Sequence, residues 1–200
     1  TAGNFAQAAL GKDTTVTIEN ELISVVLTNK GGQVKSVSLK KYTISDTAAV
    51  KLVQQNQMGY AVNTADNKTA FTSDLYFTPS TITKSSDGSS SIKFIIASAT
   101  GTSIIHTYTL HPNSYALDWD IELVGASQLL TAGVLNFKWL SETNQLERTA
   151  EYERQMSNIC FSEGNEFDYI SANNEKTFEK PVQWVSVVQQ FFNTTLIAKN

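Results

Sequence analysis

Two histidines, His106 and His111, are the side chains of this sequence best suited to general acid–base chemistry, because imidazole changes its charge near neutral pH. They lie five residues apart across a turn, so the sequence sets no distance between their rings. A catalytic pair needs an orienting acid, and no obvious acid partner neighbours either histidine. We interpret both as structural or surface residues and predict no catalytic residue.

Metal and phosphate chemistry also finds little support. One cysteine, Cys160, and two histidines cannot supply the usual four zinc ligands without carboxylates, and we expect Cys160 to be a small buried hydrophobe. Gly31-Gly32 lacks the Gly-Lys-Ser/Thr ending of a phosphate loop and precedes a strand, which favours a turn. Asp118, Asp120 and Glu122 alternate on one strand face, which is more typical of a solvated face than of a calcium site. The sequence predicts no metal ion and no cofactor.

A charged segment at residues 142–155 is rich in Glu and Arg and predicts a short helix or helical turn. Mixed charges at helical spacing usually form a solvated face, but they also suit a ligand or partner site. The charged cluster is Glu147, Arg148, Glu151, Glu153 and Arg154. Its candidate interaction residues are Glu147, Arg148, Glu151 and Arg154.

The tail "PVQWVSVVQQFFNTTLIAKN" contains eighteen consecutive uncharged residues, 181–198. This stretch is long enough to span a bilayer, but its three glutamines and one asparagine would each need a partner in hydrocarbon. We therefore predict a core strand here and no membrane helix. Three aromatic residues of the tail complete the candidate interaction surface: Trp184, Phe191 and Phe192.

Period-two alternation dominates the rest of the chain. In "YALDWDIEL", residues 115–123, apolar side chains occupy one face and carboxylates the other, as in a half-buried strand. The runs "SIKFIIAS", "HTYTL" and "ELISVVLTN" repeat the pattern, and "TNKGGQ", "SSDGSS" and "HPNS" supply turns. No long amphipathic helix separates the strands, so the sequence predicts an all-β fold of antiparallel sheets, as a sandwich or barrel.

Composition limits the partners. The 200 residues are 41% hydrophobic with a net charge of −4. Residues 1–100 carry +2 (nine Lys, seven acids) and residues 101–200 carry −6 (six Lys/Arg, twelve acids). No basic stripe exists, which argues against a nucleic-acid partner. We find no linker and no repeat, and we predict one domain preceded by a flexible lead-in at residues 1–12.

The order of segments resembles the large periplasmic domain of bacterial YidC membrane insertases. Residues 16–42 look like its opening, with a strand, a Gly-Gly turn and a second strand that closes on a Leu-Lys-x-Tyr pattern. Residues 107–124 are similar to its central hairpin, and residues 137–161 to its Trp-then-acidic segment. The most specific match is "VQWVSVVQQFF", residues 182–192. The resemblance covers roughly residues 14–200.

This resemblance implies a β-supersandwich of two packed antiparallel sheets, galactose-mutarotase-like, with one or two short helices. Residues 1–12 would follow a first transmembrane helix, residues 13–200 would form a single periplasmic domain, and a five-helix membrane bundle would come next. The domain would lie on the periplasmic side of the bacterial inner membrane, reaching the membrane only through the parent's transmembrane helices.

The implied role is accessory and not enzymatic. The parent would insert and fold inner-membrane proteins, alone or with the Sec translocon. The domain's partners would be Sec components, such as the auxiliary subunit SecF, and nascent inner-membrane proteins.

Two alternatives stay open. The mutarotase-like fold suggests a carbohydrate-binding or sugar-handling domain, and a cleft lined with aromatics could hold a peptide or glycan, although fold likeness is only analogy. A chaperone-like holder would instead need an exposed apolar patch around Trp184, Phe191 and Phe192.

Overall fold

A computed structural model of the chain describes residues 2–44, 48–53, 55–64, 68–171 and 173–199. Every pair of neighbouring strands within them is antiparallel. This confirms the predicted all-β class.

Sixteen strands run through the described residues. In chain order they are β1 (Thr15–Glu19), β2 (Ile23–Thr28), β3 (Gln33–Thr43), β4 (Ala49–Lys51), β5 (Gln55–Asn63), β6 (Thr69–Phe71), β7 (Thr78–Pro79), β8 (Thr83–Lys84), β9 (Ser90–Ala97), β10 (Ser103–Leu110), β11 (Leu117–Val124), β12 (Phe137–Glu142), β13 (Asn158–Glu163), β14 (Glu166–Ser171), β15 (Val182–Val188) and β16 (Asn193–Ile197).

Helices in the described residues are few and short. There are two α-helices, α1 (Ala126–Leu129) and α2 (Ala150–Gln155), and two 3-10 helices, Gly3–Ala9 and Thr72–Asp74. Helix α2 confirms the predicted helical turn but covers only the end of residues 142–155, since Glu142 still belongs to β12.

The chain forms two compact units, Thr1–Thr143 and Asn144–Asn200, which we call unit 1 and unit 2. That residues 13–200 form a single domain stays a prediction, since the division into compact units does not test it. Where the sequence suggests a flexible lead-in, the structure has the 3-10 helix Gly3–Ala9, and Phe5 within it is buried.

The described residues of unit 1 form three hydrogen-bonded sheets. Their strand orders are β1-β2-β3-β4, then β11-β10-β9-β7 with β8 also paired to β9, and β12-β5-β6. Alternation is clearest in β9 and β10, where every second side chain is buried. The strand predicted at residues 115–123 begins later, at Leu117, and Tyr115 is exposed.

Unit 2 is one sheet in the order β14-β13-β15-β16. β13 and β14 form one hairpin, and β15 and β16 form a second. The two hairpins join where β15 pairs with the edge of β13 that faces away from β14. The uncharged tail forms β15 and β16, which confirms strand structure there. The expected core position is wrong, because the apolar side chains of these strands are half-buried or exposed.

A buried polar group joins strands of unit 1 around His106 in β10, which is 1% exposed. Its Nδ1 lies 2.8 Å from the carbonyl oxygen of Gly32, which can only accept, so Nδ1 carries the hydrogen. Nε2 then accepts from the Tyr60 hydroxyl at 2.9 Å. Tyr108 also donates to Gly32 O, at 2.9 Å. Burial lowers the pKa of His106 to about 4, against the opposing effect of the bond to Gly32.

We predict that replacing His106 with Gln weakens the acid sensitivity of unit 1. Between pH 6.5 and about pH 4 the unfolded chain protonates this histidine while the folded chain keeps it neutral. The wild-type free energy of unfolding should therefore fall as the pH falls through this window, by about 3 kcal/mol in total. Urea denaturation of both proteins near neutral pH and at about pH 4.5 measures the difference in slope.

The control is Ser91→Ala in β9, because it removes a hydrogen bond to Thr109 of the same sheet and changes no titratable group. If wild type and His106→Gln lose stability in parallel on acidification, the buried ring is not the source of the acid sensitivity.

Candidate functional site

A buried carboxylate, Glu153 in α2, holds the charged segment against the turn between β15 and β16. It is 4% exposed. Its oxygens accept hydrogen bonds from the amide nitrogens of Leu146, at 3.1 and 3.0 Å, and Glu147, at 3.2 Å. Nε2 of Gln189 donates to Glu153 Oε1 at 2.9 Å and to the carbonyl oxygen of Asn144 at 2.8 Å.

These donors explain why a carboxylate is stable in this position. A buried charge costs several kcal/mol unless hydrogen bonds replace its hydration, and bonds to an ionised group are roughly twice as strong as neutral ones. The backbone of Gln189 also closes the turn, since its main-chain N–H donates to the carbonyl oxygen of Phe192 at 2.8 Å. The network therefore fixes both the entry to α2 and the conformation of residues 189–192.

The four predicted charged residues lie on or beside this anchored segment. Glu147 is half-buried, whereas Arg148, Glu151 and Arg154 are exposed. Arg154 turns back on its own helix, where its Nε donates to Ala150 O at 3.2 Å. Their side chains form a largely solvated rim, as the spacing suggested.

Two predicted aromatics lie in the same turn. Phe191 is 67% exposed and Phe192 is half-buried. Because Gln189 is hydrogen-bonded to Glu153 and Asn144, the turn that contains Phe191 and Phe192 is anchored to the charged segment. We call Glu147, Arg148, Glu151, Arg154 and Phe191 the turn surface.

Trp184 lies apart from the turn surface. It precedes Val188, the last residue of β15, by four residues, or about 13 Å along a strand. The strand register sets it opposite Ser162 of β13 and Ile197 of β16, and Ser162 opposite Phe167 of β14. These side chains form one row across all four strands, and the ring centroids of Phe167 and Trp184 are 6.1 Å apart.

The sheet face that carries this row is uncharged. Three paired positions from each of the four strands, twelve in all, point to this side, and none is acidic or basic. The members of this uncharged face are Asn158, Cys160, Ser162, Phe167, Tyr169, Ser171, Trp184, Ser186, Val188, Asn193, Thr195 and Ile197.

Charge is confined to the other side of this sheet, where Glu163, Glu166 and Asp168 lie. On the uncharged face, the exposed fractions are 66% for Phe167, 59% for Tyr169 and 64% for Ile197. Phe167 and Ile197 lie in the row of Trp184, and Tyr169 lies in the neighbouring row. Large apolar side chains this exposed on a face without charge are typical of an interaction surface.

Glu153, expected with its charged neighbours on a solvated helix face, is buried instead, and local sequence patterns do not identify Glu153 and Gln189 as anchors. A signal was present, because amides in an otherwise apolar tail need hydrogen-bond partners once the strand is buried. The two acceptors of the Gln189 side chain, Glu153 and Asn144, lie 36 and 45 positions earlier in the chain. Local sequence patterns cannot identify partners this far apart.

The expectation that His111 lacks an acid partner is wrong. Its Nε2 lies 3.0 Å from Asp118 Oδ2, across the β10–β11 hairpin. His106 is enclosed in the core, so the two imidazoles do not converge on one cleft. In the part of the chain that the structure describes, no three His, Cys, Asp or Glu residues are grouped to hold a metal ion. Nor does any helix there have the length and apolarity to cross a membrane.

Known proteins are similar to this chain over almost its whole length. The model of the family described as "YidC periplasmic domain" matches residues 15–200. A Bacteroides fragilis protein named "Membrane protein insertase YidC" is 29% identical, with 99% of this chain and 32% of the relative covered. A protein of the same name from Cytophaga hutchinsonii is 30% identical, over 96% of this chain and 32% of the relative. The chain spans about a third of the length of these curated relatives.

We predict that Glu153→Ala destabilises unit 2 by about 3 kcal/mol, since it leaves the amides of Leu146 and Glu147 and the Gln189 side chain without their acceptor. Amide hydrogen exchange at Leu146 and Glu147 should accelerate in the variant. The matched control is Glu151→Ala, the same change at an exposed position of α2, for which we expect an effect within about 0.5 kcal/mol. Equal effects of the two substitutions would contradict the anchoring role.

Proposed function

This chain belongs to the YidC periplasmic domain family, and on that premise we propose that it is the periplasmic accessory domain of an inner-membrane protein insertase. It acts by binding proteins and not by catalysis. The proposal places the domain on the periplasmic side of the bacterial inner membrane, as part of a multi-pass protein. The relatives' printed name, membrane protein insertase, supports this assignment together with the extent of the family match.

The single observation that carries the interaction role is the uncharged face. The row of Phe167, Ser162, Trp184 and Ile197 crosses three strand spacings, or about 14 Å. An α-helix of about nine residues has this length. An apolar partner can cover Phe167, Trp184 and Ile197 without desolvating a charge, whereas a charged partner would find no counter-ion on this face. We therefore assign it an uncharged apolar segment of a nascent inner-membrane protein.

A lipid bilayer is a less suitable partner for the uncharged face than a protein segment. Unit 2 contains eight acids and five basic residues, a net charge of −3. Glu163, Glu166 and Asp168 lie on the same sheet as the aromatic row. An anionic lipid surface would repel such a unit, since adsorption to membranes is favoured by clustered Lys and Arg.

The turn surface suits a different partner, a folded subunit of the Sec translocon such as SecF. It combines an exposed aromatic, Phe191, with both signs of charge, and transient protein interfaces have this composition of aromatic anchor and polar rim. Phe191→Ser should weaken binding of the periplasmic part of SecF, as measured by calorimetry. Unchanged affinity would remove the turn surface from this role.

The sugar-handling alternative has weaker support. An anomerase mechanism needs an acid and a base that converge on substrate, but His106 is enclosed among Tyr60, Phe77 and Trp119. An assay for anomerisation of galactose or glucose tests this alternative directly, and we expect rates no higher than in buffer.

We predict that the double variant Phe167→Ser/Tyr169→Ser binds an uncharged peptide at least about tenfold more weakly than wild type, because it removes two exposed aromatic anchors. The probe is a short synthetic peptide of Leu, Val and Ser that carries a fluorophore, and the readout is its fluorescence anisotropy. Both substituted side chains are exposed, so the fold should survive.

Leu140→Ser provides the matched control, because Leu140 is 57% exposed on a strand of unit 1. Equal weakening by the control and the double variant would mean that the peptide adheres to any exposed apolar residue. Binding to zwitterionic vesicles or self-association that the double variant abolishes would assign the face to a lipid or to a second copy instead.

A further inference from the structure

His111 lies at a corner of unit 1 where separate chain segments meet. Its Nδ1 is 2.8 Å from Ser89 Oγ, and its Nε2 is 3.0 Å from Asp118 Oδ2. The Ser89 hydroxyl also lies 2.9 Å from Asp87 Oδ2. On the main-chain side, Nδ2 of Asn20 donates to the carbonyl oxygen of His111 at 2.8 Å. The ring therefore connects the segment before β9 with β11, and its backbone is tied to the β1–β2 turn.

These three side-chain contacts require three hydrogen atoms. Carboxylates at neutral pH only accept, and hydrogen bonds from the amide and the hydroxyl of Ser89 lower the pKa of Asp87. A neutral imidazole has one N–H and Ser89 has one O–H, which gives two hydrogens. The imidazolium of His111 supplies the third. Nε2–H then donates to Asp118, Nδ1–H to Ser89 Oγ, and the Ser89 hydroxyl to Asp87.

We propose that His111 is a proton-dependent latch that closes this corner. With the ring protonated, an unbroken chain of hydrogen bonds runs from Asp118 through His111 and Ser89 to Asp87. When the ring releases its proton to solvent, the single Ser89 hydrogen must choose between Asp87 and Nδ1, and one contact opens. The latch is independent of the proposed function, since it lies in unit 1 and involves none of the proposed binding residues.

The charged groups around the ring are carboxylates on each side. Asp118 faces it from β11, and Asp87 faces it through Ser89. From the β1–β2 turn, Glu21 Oε2 accepts a hydrogen bond from the amide of Asn113 at 3.1 Å, beside the latch. A cation at His111 thus lies between negative groups from three segments, which explains how one proton can affect all of them.

Nuclear magnetic resonance of the nitrogen-labelled chain tests the latch. Ring-nitrogen shifts report the protonation of each imidazole as pH rises from about 5 to about 8.5, and the buried His106 serves as a neutral reference. Hydrogen exchange at the amides of Leu22 and Asn113 reports the corner, since both donate to residues of the β1–β2 turn. We expect exchange to accelerate roughly fivefold beyond its intrinsic pH dependence as His111 loses its proton, the order expected for one lost net hydrogen bond.

Two variants complete the test. Ser89→Ala keeps the histidine but removes the relay to Asp87, and His111→Gln removes the titrating ring. Both should abolish the accelerated exchange, whereas the control Ser91→Ala, which alters a serine bonded to Thr109 in the same sheet, should retain it. The latch is refuted if Ser89→Ala keeps the acceleration, or if wild-type His111 loses its proton while the corner amides exchange as before.

Discussion

One carbonyl oxygen, that of Gly32, is the constraint on which unit 1 depends. It accepts hydrogen bonds from His106 and Tyr108 of β10, and His106 in turn accepts from Tyr60 of β5. Strands from two other sheets are thus tied to the β2–β3 turn. Only glycine suits this position, because its φ is +53° and a Cβ would lie 2.9 Å from Phe77 Cγ. A polar network in a core is stable only when every member is satisfied, and this one uses each donor once.

Unit 2 uses the same principle with a charged group. The carboxylate of Glu153 accepts hydrogen bonds from the backbone amides of the segment before α2. Gln189 also donates to this carboxylate and so links the segment to the β15–β16 turn. A sheet of only four strands has little apolar core of its own, so such polar anchors specify which of several loop conformations is adopted.

The strands were predictable because alternation is local. A period of two in β9 and β10 records which side chains face the core, and the Gly31-Gly32 turn follows from the tolerance of glycine for positive φ. The candidate site was only partly predictable. Trp184 and Phe191 looked like one patch in sequence, but Trp184 lies about 13 Å along β15 from the turn that contains Phe191, at roughly 3.3 Å per residue. The pairing of Glu153 with Gln189 joins residues 36 positions apart, which no local window of sequence contains. His111 and Asp118 are only seven positions apart, but their contact depends on the register of the β10–β11 hairpin.

The residues that stabilise this protein differ from those that we propose for recognition. The anchors, Gly32, His106 and Glu153, are buried and already have their hydrogen-bond partners, so they have no free group to offer a ligand. The residues assigned to binding, Phe167, Tyr169 and Phe191, are more than half exposed and contribute little to the core. Substitutions at the exposed positions should therefore test the proposed binding with little loss of fold, whereas substitutions at the anchors change the fold first. Because the two sets do not overlap, a loss of affinity in the exposed variants can be attributed to the surface itself.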